Sequence, residues 1–107
     1  CEVEDIFKKL EKIIEMRQNE HPNNSYVAEL WEKGDDFILK KIGEESAELI
    51  IASKNKNENE ILNELADVLF HAIVLLKYND LSILDVAEVL KKRLGKSGVE
   101  EKKTRSK

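Results

Sequence analysis

The stretch EILNELADVLFHAIVLLKY, Glu60 to Tyr78, decides the fold class of this chain. Advancing about 100° per residue along a helix, Ile61, Leu62, Leu65, Val68, Leu69, Phe70, Ala72, Ile73, Val74, Leu75 and Leu76 cover most of the circumference. A helix coated in this way is expected to be buried nearly all round. Through the coat runs one strip, roughly 60° wide, that holds Glu60, Glu64, Asp67 and His71, because residues three and four apart stack on one side. A solvated face is normally broader and carries both signs of charge.

Working outward, the segment Phe37 to Ser53 has a matching pattern. Ile38, Ile42 and Leu49 make an apolar face, and Glu44, Glu45 and Glu48 lie within roughly 100° of one another with Lys41 on the same strip, Glu45 nearest the apolar side. Lys54 to Asn59 is polar throughout and reads as a solvated connection. Folding these two helices antiparallel across it brings Glu45 and Glu48 opposite Glu64 and Asp67. Four partly buried acids facing one another repel, and desolvation adds several kcal/mol per ion, so a positive charge must sit between them. An oxygen-only donor set points to Mg²⁺ or Mn²⁺ rather than zinc, with water and phosphate oxygens completing the shell. The implied chemistry is metal-assisted attack on a phosphate ester or anhydride.

Three further helices are expected. Val3, Ile6, Phe7, Leu10, Ile13 and Ile14 recur at helical spacing between Val3 and Met16, and His21 to Asn24 stops that helix. Ser25 caps a short helix through Trp31 that Gly34 ends, and Asp35 or Asp36 caps the next. Ser82 with Asp85 forms a capping box in its short-acid form, opening a last helix to about Leu94. Trp31, Phe37 and Phe70 read as core rather than as nucleobase stacking platforms. The chain is therefore expected to be one all-α domain over residues 1–107, about five helices, ending in a basic tail over 96–107.

Composition agrees. Of 107 residues 41% are hydrophobic and 37% charged, with one proline, which suits amphipathic helices on short loops. A net charge of -4 argues against a nucleic-acid or membrane surface, so an anionic substrate must be met by local cations or bound metal. The single cysteine, Cys1, has no internal disulfide partner and no clustered metal-binding neighbours, and there is no apolar run near 18 residues, which suggests a cytoplasmic protein.

The string Glu44-Glu45-x-x-Glu48, followed after a loop by Glu64-x-x-Asp67, resembles the EExxE…ExxD signature of the MazG-type all-α nucleotide pyrophosphohydrolases. Ser25-Tyr26-Val27, Lys41-Ile42-Gly43-Glu44-Glu45, Ala66 to His71 and Arg93 to Lys102 sharpen it, in that order, to a resemblance to the phosphoribosyl-ATP pyrophosphohydrolase family from about Ile6 to Arg105. The family's SYT reads SYV here, and its tyrosine before the histidine is Phe70. Neither change touches a carboxylate.

The resemblance implies hydrolysis of the α–β phosphate bond of phosphoribosyl-ATP, giving phosphoribosyl-AMP and pyrophosphate, the second step of histidine biosynthesis. It implies Glu45, Glu48, Glu64 and Asp67 as metal ligands, and Glu44 as a further ligand or the base that orients water. Glu45 joins Glu44 as a catalytic candidate. Candidate substrate contacts are Lys41, which alternatively balances the acids; His71, alternatively hydrogen-bonded to a neighbouring carboxylate; Arg93, Lys96 and Lys102, alternatively a solvated basic end; and Ser25 and Tyr26, facing ribose or phosphate or else serving as cap and core. Related folds pair into one bundle, so a homodimer at least is expected. Two rivals are a housecleaning nucleoside triphosphate pyrophosphohydrolase and a non-enzymatic helical module whose acids are exposed and dispersed.

Overall fold

A computed structural model describes residues 2–95. Its helices are α1 (Glu2–Arg17), α2 (Tyr26–Lys33), α3 (Asp35–Lys54), α4 (Glu58–Tyr78) and α5 (Ile83–Arg93), with no strand among the described residues. The tail over 96–107 lies outside them, as does Cys1.

Each boundary has a local cause. Ser25, in extended backbone, accepts from the Ala28 N–H at 3.3 Å and starts α2. Gly34 takes φ +90°, its N–H bonded to the Leu30 carbonyl, so α3 can begin at the next residue. Asp35 and Asp36 therefore do not cap α3 as expected from the sequence. They occupy its first turn, where their charge favours the positive end of the helix dipole.

The α3–α4 connection is shorter than its polar composition suggests. Only residues 55–57 lie between the helices, because Asn57 accepts from the Glu60 N–H at 3.1 Å and draws Glu58 and Asn59 into α4. On the α3 side, Asn57 N–H reaches the Ala52 carbonyl and Lys56 N–H the Ser53 carbonyl, the paired bonds of a Schellman motif, with Lys56 left-handed at φ 55°. The same motif closes α4: Leu81 N–H bonds the Leu76 carbonyl, Asp80 N–H bonds Lys77, and Asp80 has φ 59°. The capping box of Ser82 and Asp85 then opens α5.

So short a loop makes α3 and α4 antiparallel, and they form the most extensive helix pair. Ile14 of α1, Val27 and Leu30 of α2, Ile38 of α3, and Ile73 and Val74 of α4 make the core. Phe7, Trp31, Phe37 and Phe70 pack against it, and Trp31 meets Tyr78 edge to face at 5.4 Å. The core sits at one end of the α3–α4 pair, beside the start of α3 and the end of α4.

That placement corrects one expectation. In the single chain α4 is not buried all round: Leu62, Leu65 and Leu69 are exposed, as are Ile50 and Ile51 on α3. Three short partner helices cannot surround both long ones along their whole length. No described helix is long and apolar enough to cross a membrane.

α5 buries no residue of its own. It is tied down by Glu11 of α1, which is 7% exposed and accepts from the Ser82 hydroxyl at 3.1 Å and the Ile83 N–H at 2.8 Å. A carboxylate from another helix thus serves the N-terminus of α5, matching charge to dipole.

Candidate metal and active site

The acids come together where the middle of α3 crosses the first half of α4. Carboxylate oxygens of Glu45, Glu48 and Glu64 lie within 4.8 Å of one another. The antiparallel pairing does this: Glu45 and Glu48 are one turn apart on α3, and Glu64 projects from α4 between the two helices. A groove of about 270 Å³, lined by Glu48, Ile51, Ala52, Glu60 and Glu64, opens beside them.

The electrostatics are unfavourable without a cation. Glu45 is 9% exposed, and its Oε2 and that of Glu64 are shut from water with no hydrogen-bond partner. Three ionised carboxylates contain no donor, so any hydrogen bond between them requires a proton. Such a bond between Glu48 and Glu64, with burial and the charges of Glu48, Glu45 and Asp67, pushes Glu64 up to about 7. Glu45 is raised by burial first, then by Glu48 and Asp67, while Lys41 opposes the rise. Buried carboxylate oxygens that lack partners are what a hard divalent cation would satisfy, so these residues fit Mg²⁺ or Mn²⁺.

The remaining candidates are placed as follows. Asp67, one turn after Glu64, stands outside the three-carboxylate group, but its charge acts on both Glu45 and Glu64. Lys41 Nζ lies 3.5 Å from Glu44 and 3.7 Å from Glu45, a counter-charge at the edge of the acids. Burial alone would lower its pKa, but Tyr26, Glu44 and Glu45 together hold it above the usual lysine value. Glu44 is exposed on the outer side of Lys41.

His71 is buried, and its partners differ from the expected carboxylate. Nδ1 is 2.7 Å from the Asp67 backbone carbonyl, and Nε2 is 2.8 Å from the Tyr26 hydroxyl. The helix geometry explains the change, because the carbonyl four residues back lies within reach of the ring. Ser25 is buried as the α2 cap. Arg93 is half-buried at the end of α5, and Lys96 and Lys102 lie outside the described residues.

The sequence reading missed two things. The Tyr26–His71 bond spans 45 residues and has no local signal. Glu11 did carry one, since it sits between Phe7 and Ile14 on the apolar stripe of α1, where an acid needs a partner.

Comparison with known proteins follows the same line. The family described as phosphoribosyl-ATP pyrophosphohydrolase matches residues 7–94. A phosphoribosyl-ATP pyrophosphatase of Hydrogenovibrio crunogenus is 47% identical, with 96% of this chain and 95% of that protein covered. Another from Chromobacterium violaceum is 45% identical over 94% of each chain, and one from Vesicomyosocius okutanii is 42% identical over 97% of this chain and 99% of its own.

Proposed function

The chain belongs to the phosphoribosyl-ATP pyrophosphohydrolase family, and from that premise we propose that it hydrolyses phosphoribosyl-ATP to phosphoribosyl-AMP and pyrophosphate, the second step of histidine biosynthesis, using Mg²⁺ or Mn²⁺. The observation that carries the metal dependence is the pair of partnerless buried oxygens, Glu45 Oε2 and Glu64 Oε2, within a three-carboxylate cluster. Glu45, Glu48 and Glu64 would hold the ion, with Asp67 joining from the adjacent turn. When bound, the cation offsets the charge of the polyphosphate and polarises its phosphoryl oxygens.

The chain's own groups do the rest. Glu44 is exposed beside the cluster and accepts a proton from the attacking water as its oxygen bonds phosphorus and the α–β bridging P–O bond breaks. Lys41 limits the repulsion among Glu44, Glu45 and an incoming phosphate. Arg93, with Lys96 and Lys102 of the tail, adds positive charge for a substrate bearing several phosphates. The exposed stripe Leu62, Leu65 and Leu69, on the opposite side of α4 from the acids, suits a homodimer, in keeping with a cytoplasmic enzyme of one domain.

The burial of Glu45 speaks against a non-enzymatic module with dispersed surface acids. The deciding experiment measures pyrophosphate release from phosphoribosyl-ATP, dUTP and dCTP, with and without Mg²⁺. We expect turnover of phosphoribosyl-ATP alone, dependent on the ion and lost in Glu64→Gln and Asp67→Asn, both of which should stay folded. Equal turnover of the ordinary nucleotides would replace this assignment with the housecleaning one.

A further inference from the structure

Tyr26 is the first residue of α2, and its ring is held from three directions. One side stacks on Phe70, centroids 6.2 Å apart and planes 23° from parallel, and the His71 ring meets it edge-on at 5.7 Å. The hydroxyl is 2.8 Å from His71 Nε2. Because the Asp67 carbonyl can only accept, His71 Nδ1 carries the proton it shares with that carbonyl, and in that tautomer Nε2 accepts from the Tyr26 hydroxyl. Tyr26 is therefore fixed, yet it remains 42% exposed.

Two consequences follow. The phenolic proton is already committed to His71, so Tyr26 has no donor left for a phosphate oxygen. What it still offers a ligand is a rigid π surface, ordered before binding, which spares the ligand the entropy of ordering it. The position suits a substrate part remote from the reacting phosphates. His71 lies seven residues beyond Glu64 on the same strip of α4, about 10 Å along the axis at 1.5 Å per residue. The fields of Lys41, Glu45 and Asp67 all reach the phenol.

We propose that Tyr26 is the stacking platform for the purine of the substrate, held by Phe70 and His71 so that the polyphosphate lies along the acids while the base rests on the phenol ring. The assignment rests on the pyrophosphohydrolase reading and adds to it the residue that recognises the base.

The test measures equilibrium binding of ATP and of inorganic triphosphate, in Mg²⁺, to the full chain and to Tyr26→Phe, Tyr26→Trp and Tyr26→Leu. Loss of base stacking should weaken ATP binding to Tyr26→Leu at least about tenfold. Phe and Trp should stay within about threefold of wild type, and triphosphate binding should change little in any variant. KM for phosphoribosyl-ATP should rise in the Leu variant with kcat nearly unchanged. Wild-type ATP affinity in Tyr26→Leu overturns the proposal. So does a Phe variant as weak as Leu, which would show that the hydroxyl bond to His71 and not the ring face carries the affinity, or a parallel loss of triphosphate binding, which would mean a distorted site. A wild-type chain that does not hydrolyse phosphoribosyl-ATP overturns the functional reading as well, an outcome distinct from these.

Discussion

Raising the pH from 6 to 8 is expected to tighten Mg²⁺ binding to the free protein, and Glu48→Gln is expected to remove most of that dependence. The cause is hydrogen bonding to Glu48 together with burial and the charges of Glu48, Glu45 and Asp67, which push Glu64 up to about 7. Mg²⁺ requires the carboxylate, so only the ionised fraction is competent. With a midpoint near 7 that fraction is about 0.09 at pH 6 and about 0.91 at pH 8, and the apparent Kd should differ by about tenfold. In Glu48→Gln the amide donates to Glu64 without a shared proton and one repelling charge is gone, so Glu64 should return toward ordinary carboxylate values. Calorimetry in two buffers of different ionisation enthalpy, with magnesium chloride as titrant, reads both affinity and proton release. About one proton should leave per ion at pH 6 and about 0.1 at pH 8. The melting temperature gives an independent sign. Between the ordinary value of 4.5 and the folded value of about 7, the native state keeps a proton that the unfolded chain has released. Raising the pH through that window therefore destabilises the metal-free protein, and Mg²⁺ should offset the loss. Equal affinity at pH 6 and 8 in wild type, or an unchanged slope in Glu48→Gln, would refute the shared proton.

Glu11→Ala removes a charged acceptor from Ser82 and Ile83 and should cost about 2–3 kcal/mol, read in urea melts, with amide protection lost first over α5. Unchanged exchange in α5 would show that the helix does not depend on this tether. Lys56→Gly should stabilise the protein by about 0.5–1 kcal/mol, because a lysine at φ 55° is strained by more than glycine loses in chain entropy; a lower melting temperature would contradict this. Sedimentation at micromolar concentration should give about twice the mass of one chain, and Leu62→Lys should shift it toward the monomer. A wild-type mass of one chain would reject the dimer.

Helix content was legible in the sequence because its causes are short-range. The three-four spacing of Phe7, Leu10 and Ile14, the Ser25 cap, the stop at Gly34 and the Ser82–Asp85 box act within a turn or two and need no distant partner. The narrow acid strip through an apolar helix was readable for the same reason. Boundaries misread at Asp35 and Glu58 were contests between neighbouring caps, and there Gly34 and Asn57 prevailed. What depended on packing was which side chains meet. Glu45, Glu48 and Glu64 converge while Asp67 stands aside, because the register of α3 against α4 sets those distances and one turn of helix shifts a side chain by about 5 Å. The bonds from Tyr26 to His71 and from Glu11 to Ser82 join residues 45 and 71 apart. No local pattern encodes such pairs: each side chain must satisfy its polar atoms with whatever the assembled helices bring within reach, and that is settled only when the core closes.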